Sequence, residues 1–246
     1  MIDHYISLHN PFTWYNSMLK RPRWLKNERF FVKKEVWQLR LRYKVLLALA
    51  LLLLLWTCHT LGLRLIGHIL NADYAGKKTE VIAIEAWIAV SFGHAEHIAS
   101  LYHGQPIYVI LNEETDLKSD YGFELDRAKQ SKQNLVDAGI DADDVILMLI
   151  PEREDALGQT SYFASQLRKR LLQDGIKSYT LATVWYHSQR SCLTYGNIFA
   201  QTGIEIDCYP LPKEYGPDDW WQFRTGMIDV MTEAIKFAYY AWRGFR

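Results

Sequence analysis

Val81-Ile-Ala-Ile-Glu85-Ala-Trp87 is a short apolar run that breaks on a carboxylate and a tryptophan. Its first four residues contain nothing polar, which suits a strand covered on both faces. Four similar runs follow: Ile107–Leu111, Val145–Ile150, Tyr179–Val184 and Ile204–Tyr209. Between them, 92–103, 123–138, 161–173 and 188–201 carry apolar residues at i, i+3 and i+4, and Gly104, Gly139, Gly175 and Gly203 stand where helices end. Strands alternating with helices predict an α/β domain over 72–246, a doubly wound, mostly parallel five-stranded sheet with helices on both faces. The first three runs read as strands covered on both sides. The fifth, Ile204-Glu-Ile-Asp-Cys-Tyr209, alternates as an edge strand does. Ligands in such sheets sit beyond the carboxyl ends of the strands, where strand order reverses. Placed there are Glu85 and Trp87, then Asn112 to Glu114, Pro151 to Thr160, and Trp185 to Arg190.

Upstream, Val45-Leu-Leu-Ala-Leu-Ala-Leu-Leu-Leu-Leu-Leu-Trp56 continues through Thr57 to Leu63. That reaches the roughly 20 residues a helix needs to cross a hydrocarbon core. Lys and Arg crowd the preceding segment from Lys20 to Lys44, against Asp3, Glu28 and Glu35. The excess predicts a single-pass anchor over 45–63, with residues 1–44 cytoplasmic and the α/β domain outside. The length of the basic segment and the lack of a small-x-small site argue against a cleaved signal peptide. Trp14, Trp24, Phe30, Phe31 and Trp37 among the basic residues suit an arm held on anionic lipid, or a topogenic flank with incidental aromatics.

The 28 basic and 28 acidic residues balance overall. The arm takes the positive share, so the outer domain lacks the clustered basic face that nucleic acid requires. Cys58 falls in the span. Cys192 and Cys208 suit a disulfide outside the cytoplasm, but small buried hydrophobes are the preferred reading. The segment from Asp219 to Trp242 reads as one long amphipathic helix covering the sheet, with its aromatic end at the bilayer surface as the rival reading.

Thr183-Val-Trp-Tyr-His187-Ser-Gln-Arg190 spans a strand-to-helix junction. A helix N-terminus seats anions, and His187 and Arg190, three apart, would face one side of its first turn. Alternatively His187 or Ser188 caps the helix and Arg190 is solvated. Thr160 and Ser161 open the preceding helix, as caps or as hydroxyls facing the cleft. Glu85 ends an apolar run, where a carboxylate is costly unless paired or exposed. Asn112, with Glu113 and Glu114, is a cleft contact or a polar turn. No GxSxG, GxGxxG, P-loop, HExxH or zinc-spaced cluster is present, and no cofactor or metal is expected.

Taken together, Ile84-Glu85-Ala-Trp87, Gln159-Thr-Ser-Tyr162, Thr183 with His187-Ser-Gln-Arg190, and Trp220-Trp221 before a Glu-containing final helix resemble the SanA/YdcF/ElyC-like bacterial envelope proteins. The resemblance covers Glu80 onward. It implies a Rossmann-like domain, often on an N-terminal anchor, tied to envelope integrity and to peptidoglycan or lipid-carrier handling. A cytoplasmic-type relative is linked to S-adenosylmethionine, which an outside domain argues against. Asn112-Glu113 stands where the family carries Gly-Gly, Ala86 replaces a glycine, and the helix acid of the family falls on Glu124 or Asp126. The expected function is therefore binding, with optional modification, of a phosphorylated or sugar-bearing envelope precursor. Glu85, Trp87, Asn112, Thr160, Ser161, His187 and Arg190 are the candidate ligand contacts. The rival is a non-catalytic tethered scaffold that binds other envelope proteins.

Overall fold

The computed structural model describes residues 31–32, 38–86, 89–113, 126–151 and 158–244. The chain divides into two compact parts, Met1–Thr60 and Leu61–Arg246. In the first, Phe31–Val32 pairs antiparallel with Gln38–Leu39, and helix α1 begins. α1 runs over Leu41–Leu70, 30 residues, or about 45 Å at 1.5 Å per residue. It is longer at both ends than the expected anchor, and is the one helix among the described residues long and apolar enough to cross a membrane. Leu46, Leu47, Leu49, Leu51 to Leu55 and Trp56 are all exposed. The Thr57 and Thr60 hydroxyls donate to the carbonyls of Leu53 and Thr57, leaving neither without a partner in an apolar setting.

The second part begins with the last turns of α1, earlier than the expected boundary at 72. Leu63, Ile66 and Leu70 pack with Trp185, Tyr215, Trp220 and Val230. A Cβ on Gly67 would lie 2.3 Å from the Pro217 carbonyl oxygen, so only glycine fits there. Downstream, Ser188 Oγ accepts from the Ala72 amide at 2.8 Å, and the Asp207 carboxylate accepts from the amides of Ala75 and Lys77.

The strands are β1 Val81–Glu85, β2 Ile107–Glu113, β3 Val145–Pro151, β4 Ser178–Val184 and β5 Glu205–Leu211. They form one all-parallel sheet in the order β3-β2-β1-β4-β5. The helices between them are α2 Phe92–Leu101, α3 Arg127–Asp137, α4 Gln159–Gln173 and α5 Trp185–Phe199. Winding outward from β1 in both directions puts α2 and α3 on one face, where Ala95, Ile98 and Leu135 meet Ile82, Ile84 and Val109. On the other face Phe163, Leu167, Tyr195 and Phe199 meet Val81, Ala83, Tyr108 and Leu181. The expected α/β fold is thus present, with β5 at an edge as its alternation implied.

β3 is the other edge strand; its side chains join the clusters on both faces, as its apolar run implied, with Leu149 half exposed. Two expectations fail. The cysteines are not free hydrophobes. Cys192 on α5 and Cys208 on β5 form a disulfide, their Cα atoms 6.1 Å apart, because α5 lies along β5. The final helix does not cover the sheet either. A 3₁₀ turn, Trp220–Gln222, and an extended Phe223 precede α6, Arg224–Arg243. With both faces taken by α2 to α5, α6 packs against α5 and over the strand ends.

Candidate functional site

Strand order reverses between β1 and β4, and the cleft opens at their carboxyl ends. It is a cavity of about 660 Å³ walled by Ile84, Ala86, Val90, Val184, Leu211 and Ile228, with α6 as its lip. Glu85 ends β1 and is tied to β4 by the Thr183 hydroxyl, which donates to its carbonyl at 3.2 Å. β4 passes into α5 without a loop, so the helix starts at Trp185, three residues before the expected Ser188. The N-cap is Val184, with no side-chain cap. His187 and Ser188 are therefore inside the first turn and cap nothing. The same holds for Thr160 and Ser161, because α4 is entered from Gly158 without a side-chain cap.

His187 and Arg190 do share one side of α5, as their spacing implied, but both are buried and matched to carboxylates. His187 Nε2 lies 3.3 Å from Glu85 Oε1. Its Nδ1 lies 2.8 Å from Arg190 Nη2 and 3.2 Å from Glu233 Oε1. Arg190 donates through Nε to Glu233 Oε1, through Nη2 to Glu233 Oε2 at 3.3 Å, and through Nη1 to Thr160 Oγ1 at 3.1 Å. Its guanidinium carbon stands 4.8 Å over the Tyr240 ring. Burial pushes the Tyr240 phenol pKa up. A neutral imidazole here donates from Nε2 to Glu85 and accepts from Arg190 at Nδ1. A proton on Nδ1 turns that bond toward Glu233.

Burial and the nearby Arg190 oppose a charge on His187, but Glu233 and Glu85 outweigh them and raise its pKa above the ordinary value. Burial likewise opposes the Glu233 charge, yet His187 and Arg190 pull its pKa down to about 2. His187 and Arg190 thus face carboxylates of opposite charge, which is what makes such a cluster tolerable in a core. Glu85, His187, Arg190 and Glu233 form a buried quartet joining α6 to α5 and β1, with Glu85 Oε2 left without a hydrogen-bond partner.

The polar rim of the cleft is separate. Lys213 Nζ donates to Asp229 Oδ2 at 2.7 Å and to the Tyr215 hydroxyl at 3.1 Å, and lies 5.3 Å from the Tyr186 ring centre. Burial opposes the Asp229 charge, but Lys213 and Tyr215 hold its pKa below the usual carboxylate value. His94, Thr232 and Lys236 complete the rim. Burial lowers the His94 pKa, although its Nε2 is 3.1 Å from the Pro212 carbonyl.

Of the expected contacts, Glu85 and His187 border the cleft, while Arg190 and Thr160 lie behind them. Asn112 accepts from Gln159 Nε2 at 2.7 Å and does not line the cleft. Trp87, Glu114 and Glu124 lie outside the described residues. Asp126 is the N-cap of α3, accepting from the Lys129 amide. Glu233, Tyr240, Lys213 and Asp229 were missed. The signal for Glu233 was present in the sequence: Val230, Glu233, Phe237 and Tyr240 recur on one helical face, a carboxylate among apolar residues. Among the described residues no three His, Cys, Asp or Glu side chains are grouped to hold a metal ion.

Fold and site together define a Rossmann-like α/β domain with a cavity at its topological switch point. Compared with known protein families and with curated proteins, the chain matches none.

Proposed function

We propose that this is a single-pass envelope protein of the bacterial inner membrane, akin to the SanA/YdcF/ElyC-like group. On this reading its outer α/β domain binds an amphipathic precursor with a sugar or phosphate head. The basic flank of α1 supports an inside N-terminus, and the Cys192–Cys208 disulfide favours an oxidising compartment for the domain. One observation carries the binding assignment: an apolar-walled cavity whose accessible polar groups gather on one rim, Tyr186, Lys213, Asp229, Thr232 and Lys236.

Beneath that rim most polar atoms of the quartet are engaged with one another, Glu85 Oε2 excepted. Every nitrogen donor of Arg190 named above is directed at Glu233, Thr160 or His187, and both His187 nitrogens are engaged. Arg190 is therefore a strut for α6, and the anion-holding role passes to Lys213 and Lys236. The Tyr186 ring and the Asp229 carboxylate suit the face and hydroxyls of a sugar.

The test is a thermal-shift and titration panel on the full chain in detergent, using polyprenyl phosphate, a polyprenyl diphosphate sugar and the free sugar. A head-bearing lipid stabilises the wild type. Ala89→Trp, which fills the cavity, abolishes the shift. Lys213→Ala weakens binding about tenfold or more, the loss expected for a charge-assisted hydrogen bond. Equal binding by wild type and Ala89→Trp contradicts the reading.

The scaffold alternative draws on a different observation, the exposed apolar residues of α6. It predicts co-purifying envelope proteins and no ligand response.

A further inference from the structure

α6 carries an apolar stripe that nothing in the domain covers. Met227, Met231, Ile235 and Trp242 recur along one side of the helix and are 45%, 46%, 70% and 81% exposed, with Ile228 beside them at 57%. The opposite side supplies the buried Gly226, Val230, Glu233 and Tyr240. The two acidic residues of α6 both face inward partners, Asp229 toward Lys213 and Glu233 toward Arg190. Its remaining charged residues, Arg224, Lys236 and Arg243, are all basic. A basic amphipathic helix with a terminal tryptophan has the composition of an interfacial helix, apolar face in the lipid and basic residues at the headgroups.

Placement selects the bilayer as occupant. The turn leading into α6 packs on the end of α1: Trp220 Nε1 donates to the Leu63 carbonyl at 3.0 Å, and Leu63, Ile66 and Leu70 share a cluster with Trp220 and Val230. The apolar run of α1 ends at Leu63, just before Arg64. The start of α6 therefore lies beside the last turns of α1, on the C-terminal side of its apolar run.

We infer that α6 is a second membrane contact, lying along the outer surface of the bilayer that α1 crosses; this rests on α1 being a span. Ile228, Thr232 and Lys236 belong both to α6 and to the cavity lining. Seating α6 on lipid thus sets the cleft mouth at the membrane surface.

The test attaches bimane to the full chain in nanodiscs containing spin-labelled lipid. The disulfide cysteines do not react, so Cys58 labels the wild type, and Ile235→Cys or Lys169→Cys is labelled in a Cys58→Ser background. Lys169 lies on α4 and is exposed. The expected result is strong lipid quenching at Cys58 and at position 235, and little at position 169. Quenching at Cys58 with none at 235 overturns the α6 contact while the span stands. Protection of 235 from aqueous iodide without lipid quenching also overturns it, because a protein then covers the stripe. Failure of Cys58 to be quenched sinks the span and the contact together.

Discussion

The quartet under the cleft and the rim above it are built from the same kinds of group, yet physics gives them opposite roles. Glu85, His187, Arg190 and Glu233 have side chains at most 5% exposed. The Lys213–Asp229 pair is about 30% exposed on each side. Removing one partner from a buried pair leaves a charge without water, whereas a rim partner is rehydrated. The contrast teaches that residues most conspicuous in a strand-end reading can be the frame of a cleft, while its more accessible charged groups lie on a later loop and helix.

The largest expected effect breaks the frame. Arg190→Met or Glu233→Gln should lower the unfolding free energy by roughly 3–5 kcal/mol in urea titrations. A loss under about 1 kcal/mol would make the quartet no more than a surface cluster. Next is the disulfide that staples α5, which carries His187 and Arg190, to β5. Closing a 16-residue separation contributes about 3 kcal/mol on chain-entropy grounds. Cys192→Ala/Cys208→Ala, or reduction, should lower Tm accordingly while leaving cavity binding measurable below that Tm.

A subtler effect is pH dependence. Glu233 is depressed from 4.5 to about 2, so its contribution is whole above pH 4.5 and lost as pH falls toward 2. His187 is raised above 6.5, so its contribution is whole below that pH and lost as pH climbs through its native value. The quartet should therefore stabilise most between pH 4.5 and 6.5. His187→Gln should flatten the alkaline limb of the stability profile, and an unchanged slope there would assign the titration elsewhere. The smallest effect on stability belongs to the rim. Lys213→Met should cost no more than about 1 kcal/mol, yet it removes a cation from the cleft rim. A large destabilisation would show that Lys213 is frame as well.

Much of the fold was readable because its signals are local. Apolar runs such as Ile107–Leu111 and glycines such as Gly139, which adopts φ 95°, report on strand burial and helix ends without knowledge of neighbours. Strand order is not local, so nothing in the Val145–Ile150 run marked β3 as an edge. The cysteines depended on the packing of α5 along β5, which no spacing rule reveals. At the site, Glu85 and His187 were each legible as strand-end residues, but their pairing depends on β1 lying beside β4, which is not local. The partner that turns Arg190 inward, Glu233, lies 43 residues on, in a helix expected over the sheet. Once the faces are filled by α2 to α5, that helix has only the strand ends and α5 left to cover. An unpaired-looking arginine thereby became a strut.

A double-mutant cycle between Arg190 and Glu233, read by urea unfolding of the full chain, tests the division between frame and rim most directly. The predicted coupling is on the order of 3 kcal/mol, several times that of the Lys213–Asp229 cycle. Equal couplings below about 1 kcal/mol in both cycles would contradict it.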